Sequence, residues 1–185
     1  MKKLIAVSVV ICVVLALTGC GDDNYQQGTK TSKGFESEFI NIKFTLPDGY
    51  EMIPDKNLED LMDDVTVYEM GAENPDNYNS VYLVVEKLSM ITGLLSEEQY
   101  LEVLKTNLEQ ETAMKYTIKS DTTNVTIAGE SYVKMSSTAN VQGIEIRQDY
   151  IVKKIGRKMV CFIVTYSDDT KSDMDELLKC FKALD

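Results

Sequence analysis

Alternating and continuous apolar segments predict the strands of this chain. Within Glu38–Leu46, apolar side chains occupy every second position at Ile40, Ile42, Phe44 and Leu46, which is typical of a strand with one buried face. Val81–Val85 and Lys158–Tyr166 are instead apolar at consecutive positions. A strand without a polar face has to be covered on both sides, so we expect these two segments in the centre of a sheet.

Helical spacing of apolar residues predicts three helices. The clearest one begins after Ser96, where Gln99 completes a capping box. Its predicted buried stripe consists of Tyr100, Leu101, Leu104 and Leu108. A shorter helix is predicted over Asp55–Asp64, and a C-terminal helix over Thr170–Ala183.

Short strands joined by turns account for most of the remaining chain. The further predicted strands are Val65–Met70, Tyr116–Ser120, Asn124–Ile127, Ser131–Ser137 and Ile144–Lys153. Runs of strands with a few helices indicate an α+β fold, in which helices pack on the faces of a mostly antiparallel β-sheet. We find no internal repeat and expect one domain over residues 36–185.

The N-terminus has the pattern of an export signal. Lys2 and Lys3 precede an apolar run from Leu4 to Leu17, and small residues follow it. This run is shorter than the roughly 20 residues of a membrane-spanning helix. We therefore expect residues 1–19 to be a signal peptide, and a retained anchor helix is the alternative.

The residues at the end of this signal resemble the bacterial lipobox. Leu17-Thr18-Gly19-Cys20 supplies its aliphatic residue, small residue, glycine and cysteine in order. The resemblance implies a diacylglyceryl group on Cys20 and cleavage between Gly19 and Cys20. Two acyl chains would hold the protein stably on the extracytoplasmic face of the cell membrane. As an alternative, Cys20 is an ordinary cysteine after a conventional cleavage site.

The segment that follows Cys20 is polar and contains no apolar repeat. It reads GDDNYQQGTKTSK from Gly21 to Lys33, a composition typical of a flexible linker. We expect residues 20–35 to tether the folded domain to the membrane.

Several segments of the domain resemble the PsbP-like family, which includes a photosystem II extrinsic subunit, a nuclear-import cofactor and many bacterial lipoproteins. The segments that carry this resemblance are FTLPDGYEM at 44–52, VYLVVEKL at 81–88, TIAGESYVKM at 126–135, DYIVKKIGRKMVCFIVTY at 149–166 and DELLKCFKAL at 175–184, together with the helix after Ser96. The resemblance implies a PsbP-like fold and an accessory or binding role. It implies no catalytic residues.

Composition excludes several kinds of chemistry. The chain has 30 acidic and 19 basic side chains, a net charge of −11, which disfavours binding to nucleic acid. It has no histidine, so Ser-His-Asp and Cys-His catalysis are excluded and a catalytic zinc site is disfavoured. We expect no enzyme, cofactor or metal site, although a pair of carboxylates could in principle hydrolyse glycosides without histidine.

A few residues are candidates for other chemistry. Cys161 and Cys180 could form a disulfide outside the membrane, or they could be separate buried thiols. The acidic residues Asp55, Glu59, Asp60, Asp63 and Asp64 could offer oxygens to calcium, but they lack a glycine-turned binding loop and resemble the wet face of a helix. The loop around Tyr78 is a candidate contact surface.

Three functions remain open at this level. We expect a lipid-anchored module that binds a protein or envelope component, reaching the membrane through diacylglyceryl-Cys20. The alternatives are a carrier of a small apolar ligand, held between sheet and helices, and a histidine-free hydrolase.

Overall fold

The structure is a computed structural model that describes residues 25–77, 79–110, 116–119, 121–141 and 144–184. Its strands are β1 Thr29–Thr31, β2 Gly34–Ser37, β3 Ile42–Thr45, β4 Glu51–Met52, β5 Thr66–Glu73, β6 Ser80–Lys87, β7 Tyr116–Ile118, β8 Thr123–Ile127, β9 Glu130–Val141, β10 Ile144–Ile155, β11 Lys158–Tyr166 and β12 Phe181–Lys182. Its α-helices are α1 Asp55–Glu59, α2 Glu97–Gln110 and α3 Lys171–Leu178. The predicted signal peptide and Cys20 lie outside the described residues.

A large antiparallel sheet forms the middle layer. Its strand order is β4-β5-β6-β11-β10-β9-β7, and β8 also pairs with β9. Two short strands pair with the outer edge of β9. β8 pairs with residues 130–134 of β9, and β7 pairs with residues 137–139. The predicted α+β fold with a mostly antiparallel sheet is confirmed.

The two segments predicted to be central strands occupy the centre of this sheet. β6 lies between β5 and β11, and β11 lies between β6 and β10. Every residue of β11 is buried. Its side chains alternate between two hydrophobic clusters, with Val160 and Phe162 in one and Met159 and Cys161 in the other.

A small sheet and α3 cover one face of the large sheet. The small sheet has the order β1-β2-β3-β12. Phe181 stacks on Phe44 with ring centroids 4.5 Å apart and meets Phe162 of the large sheet edge to face at 5.0 Å. Met174 and Leu177 bring α3 into the same cluster, so strands and a helix share this layer.

The helices α1 and α2 cover the opposite face. The predicted stripe of α2 is confirmed, because Tyr100, Leu101, Leu104 and Leu108 are all buried against the sheet. The capping box is also present: the Gln99 amide donates to the Ser96 hydroxyl at 3.3 Å, and the Ser96 amide donates to the Gln99 side chain at 2.9 Å.

The C-terminal helix is shorter than the sequence predicts. Instead of continuing to Ala183, α3 ends at Leu178, and Phe181 and Lys182 form β12 beside β3. The Thr45 amide donates to the Cys180 carbonyl at 3.2 Å, which starts this pairing. Tertiary pairing and burial of Phe181 outweigh the helical spacing of the apolar residues.

Two other predicted elements also differ from the structure. The predicted strand Glu38–Leu46 contains a turn before β3, where Asn41 adopts a left-handed conformation with φ of 58°, which asparagine tolerates better than most residues. The helix α1 is shorter than predicted, because Asp63 accepts hydrogen bonds from the amides of Val65 and Thr66 and turns the chain into β5.

The fold begins earlier than the expected boundary at residue 36. Residues 25–35, which the sequence predicts to be part of a flexible tether, include β1 and the start of β2. The Tyr25 hydroxyl donates to Glu69, and its ring packs edge to face on Phe39 at 5.1 Å. The Gly28 amide donates to the same Glu69 carboxylate at 2.8 Å.

Glu69 holds this N-terminal segment because a bulge interrupts β5. Pairing with β6 shifts register between Tyr68 and Met70, so Glu69 falls out of the ladder and is fully buried. Burial raises the pKa of the Glu69 carboxyl, and the hydrogen bonds from Tyr25 and Gly28 oppose that rise. A polar linker composition could not reveal a partner that lies so far along the chain.

Phe181→Ala tests the C-terminal strand. Removing this ring leaves a cavity between Phe44 and Phe162, so we expect the free energy of unfolding in urea to fall by about 3–5 kcal/mol. Lys182→Ala is the matched control, because the neighbouring side chain is exposed and should change stability by less than about 0.5 kcal/mol. Equal effects of the two changes would contradict the burial of β12.

Glu69 should make the protein more stable in mild acid than at neutral pH. Its pKa is raised from 4.5 in the folded state, so the folded protein keeps a proton here that the unfolded chain releases. The resulting stability is present below pH 4.5 and is lost as the pH rises through the raised value. We expect the free energy of unfolding in urea to fall as the pH rises above 4.5 towards neutrality.

Glu69→Gln should make this fall smaller. A fall should remain, because burial also raises the pKa of Glu86. Glu109→Gln, on the exposed face of α2, should leave the pH dependence unchanged. The same pH dependence in all three proteins would show that Glu69 does not titrate in this range.

Candidate functional site

Asp149 is the centre of one buried polar group on β10. It accepts hydrogen bonds from the Ser136 hydroxyl at 2.6 Å, the Tyr166 hydroxyl at 3.2 Å and the Lys134 ammonium at 3.2 Å. Burial, followed by the charge of Asp149, raises the pKa of Tyr166. These contacts join β9, β10 and β11, so Asp149 links the three strands.

Two further polar groups lie on the helix-covered face. The Tyr100 hydroxyl donates to Glu86 at 2.6 Å and fastens α2 to β6. Burial raises the pKa of Glu86, and the bond from Tyr100 opposes that rise. Gln148 bridges neighbouring groups, since its amide donates to Thr165 at 3.2 Å and its carbonyl accepts from Tyr150 at 3.1 Å. The bond from Tyr100 connects α2 to β6, and the bond from Gln148 to Thr165 connects β10 to β11.

The cysteines are not paired. Cys161 lies in the cluster beneath α2, whereas Cys180 packs against the cluster on the opposite face of the large sheet. Both are free thiols in the structure, without the disulfide considered from the sequence. Of the two buried thiols that were the alternative, Cys161 is buried, whereas Cys180 is only partly buried. Burial raises the pKa of both, which disfavours the reactive thiolate.

The acidic residues around α1 have separate structural roles. Asp55 pairs with Lys30 at 2.5 Å and connects α1 to β1, while Asp63 closes the turn before β5. Across the ranges that the structure describes, no three acidic or cysteine side chains converge as metal ligands would.

The loop around Tyr78 is anchored at its end by Asn79. Tyr78 itself lies outside the described residues. The buried Asn79 accepts a hydrogen bond from the Thr170 hydroxyl at 2.5 Å and contacts the Tyr50 hydroxyl at 3.4 Å. This end of the loop is therefore fixed to the turn that precedes α3.

The most exposed apolar residues lie in the connection between β6 and α2. Met90 is 72% exposed, Ile91 67% and Leu94 83%. We call residues 88–95 the apolar loop. No prediction from the sequence concerned this segment, although five of the eight residues in LSMITGLL are large and apolar, and residues 89–95 lie outside any predicted strand or helix. That combination is the signal that could have identified it.

Hydrogen bonds hold the apolar loop in one conformation. Ser89 and Thr92 bond to each other's backbone amides at 3.0 and 2.8 Å, and the Gly93 amide donates to the Ser89 carbonyl at 2.8 Å. The Lys154 ammonium donates to the carbonyls of Gly93 at 2.6 Å and Leu95 at 3.0 Å. The backbone is bound to the domain, so the loop projects its side chains outward from a fixed turn.

The apolar loop and the start of the described chain lie at the same end of the large sheet. The Leu88 amide donates to the Arg157 carbonyl at 2.9 Å, which places the loop beside the turn between β10 and β11. Lys158 follows that turn, and its ammonium lies 5.0 Å from the centre of the Tyr25 ring. Tyr25 is the first described residue, and Cys20 precedes it by only a few residues.

This end of the molecule carries exposed apolar side chains on a hydrogen-bonded turn. Apolar side chains projecting from a rigid turn are typical of a surface that meets another apolar phase. In the part of the chain that the structure describes, there is no helix of sufficient length and apolarity to span a bilayer.

No protein-family profile matches the chain, and no curated protein sequence matches it. Several solved structures are similar to it. The cyanobacterial PsbP protein (CyanoP) of Synechocystis gives a TM-score of 0.53 at 10% identity, over 91% of this chain and 99% of that one. A protein of Bacteroides thetaiotaomicron gives 0.50 at 12% identity, over 86% of this chain and 50% of that one.

A third solved structure is LpqN, described as involved in cell envelope biogenesis of Mycobacterium tuberculosis. It gives a TM-score of 0.47 at 12% identity, over 78% of this chain and 83% of that one. At such identities the CyanoP and Bacteroides matches concern the fold alone. Together with the antiparallel sheet and its covering helices, they establish that the chain has a PsbP-like fold, as the resemblance in the sequence predicted.

Proposed function

We propose that this chain is a lipid-anchored, extracytoplasmic accessory protein that binds a protein or envelope component at the membrane surface and catalyses no reaction. The lipobox residues Leu17 to Cys20 support the anchor. The observation that carries the proposal is the position of the apolar loop at the end of the sheet where the described chain begins.

The short distance between Cys20 and Tyr25 supports a domain held close to the membrane. A chain of five residues spans at most about 18 Å when fully extended. Because Tyr25 is already bound to Glu69 and Phe39, the connection from the fold to the acyl chains is short. The domain is therefore positioned to act on components at the bilayer surface.

The arrangement of polar groups supports a role without catalysis. Asp149, Glu86 and Gln148 are engaged with other side chains of the sheet and α2. An acid–base pair for hydrolysis has to face a substrate, whereas each of these side chains is hydrogen-bonded to another side chain of the domain. This arrangement favours an accessory protein over a hydrolase that uses a pair of carboxylates.

The face between α2 and the sheet also favours an accessory role over a carrier. An apolar ligand between sheet and helices would occupy the space beneath α2. Leu104, Leu108, Tyr68 and Tyr150 are buried there and pack in one cluster. A carrier would have to move these side chains before a ligand could enter.

Cys20→Ala tests the anchor. The variant lacks the thiol that takes the lipid, so we expect an unprocessed or mis-sorted precursor without acyl label. Metabolic labelling with a fatty acid and intact-mass analysis of the purified protein measure this directly. Cys12→Ala is the matched control, because it removes a cysteine of the signal segment and should leave lipidation unchanged. Processed, labelled Cys20→Ala protein would refute the proposal.

A further inference from the structure

We propose that the apolar loop inserts Met90, Ile91 and Leu94 into the surface of the phospholipid bilayer that holds the acyl chains of Cys20. This inference rests on the proposed function, because the anchor brings the loop to the membrane. It adds an orientation: the end of the sheet with the β10–β11 turn faces the lipid, and the opposite end faces away.

The exposed side chains have the chemistry of an interfacial contact. Met90, Ile91 and Leu94 are unbranched or branched aliphatic groups without a polar tip, and each is at least two-thirds exposed. Exposure of these side chains to water costs free energy. Burial at the boundary between lipid headgroups and acyl chains would recover it. Insertion needs no refolding, since Ser89, Thr92 and Lys154 already hold the turn.

The segment between Cys20 and Tyr25 is short, and for this reason we propose the bilayer as the binding partner of the apolar loop. Tyr25 and the apolar loop lie on either side of the β10–β11 turn, and Cys20 lies within about 18 Å of Tyr25 along the chain. A short tether gives the loop a high effective concentration at the lipid surface, so a contact too weak to recruit the domain alone becomes occupied.

Local charge permits this contact although the whole chain is acidic. The formal net charge is −11, and an acidic surface is repelled by anionic headgroups. Lys87, Lys154 and Arg157 lie beside the loop and counter that repulsion. Asp63 and Asp64 precede β5 at the same end, so insertion of apolar side chains, rather than net positive charge, is the source of binding.

The chain contains no tryptophan, so a single introduced tryptophan reports its own surroundings. Leu94→Trp places the probe on the apolar loop. Ile144→Trp is the matched control, since Ile144 is an exposed apolar residue at the start of β10, the end remote from the β10–β11 turn. Each full-length variant is purified from membranes, checked for lipid on Cys20 by intact mass and incorporated into vesicles of phosphatidylethanolamine and phosphatidylglycerol.

We expect the fluorescence of Leu94→Trp to shift to shorter wavelength and to be quenched when the vesicle lipids carry brominated acyl chains. Ile144→Trp should show neither effect. Adding Met90→Ser and Ile91→Ser to Leu94→Trp should reduce the quenching. These side chains are exposed, so the circular dichroism spectrum and the unfolding midpoint should stay unchanged.

The outcomes separate the orientation from the anchor. Lipid on Cys20 without quenching of Leu94→Trp would overturn the orientation and leave the anchor standing, as expected if the loop binds a protein partner. Equal quenching of both tryptophans would also overturn it. Absence of lipid on Cys20 would overturn the anchor and, with it, this contact.

Discussion

The burial of β11 on both faces is the constraint from which the layers of this protein follow. A strand that is apolar at consecutive positions cannot leave either side in water. One side is therefore covered by α1 and α2, and the other by the small sheet and α3. The polar side chains that enter these layers, such as the buried Asp149 and the partly buried Glu86, have hydrogen-bond partners on neighbouring elements.

Elements with a strong local pattern could be predicted from the sequence, whereas those made by distant pairing could not. The position of β6 and β11 and the buried stripe of α2 follow from the spacing of their own residues. β12 exists because Phe181 pairs with Phe44, and β1 is held against the fold through Glu69. Neither partner can be identified from the residues near it, which are typical of a helix and of a linker.

The residues of the candidate site also fall into those with a local sequence pattern and those whose position depends on distant parts of the chain. The segment from Leu17 to Cys20 is contiguous, so its resemblance to a lipobox could be seen directly and made Cys20 a candidate for lipidation. The apolar run before α2 could be noticed in the sequence, but it has no period that would tell an exposed turn from a buried one. Its exposure follows from Lys154 and Arg157, which bind its backbone from a different hairpin. The separation of Cys161 from Cys180 likewise depends on which face of the sheet each residue occupies.

The small sheet joins the two ends of the described chain, with β1 at one edge and β12 at the other. Its closing strand, β12, lies far along the chain from its pairing partner β3. If β12 detached, the ring of Phe44 and the edge of β3 would be open to water even while the β6–β11 pairing of the large sheet stayed intact. A molecule in that partly open state should associate with others through the free edge of β3.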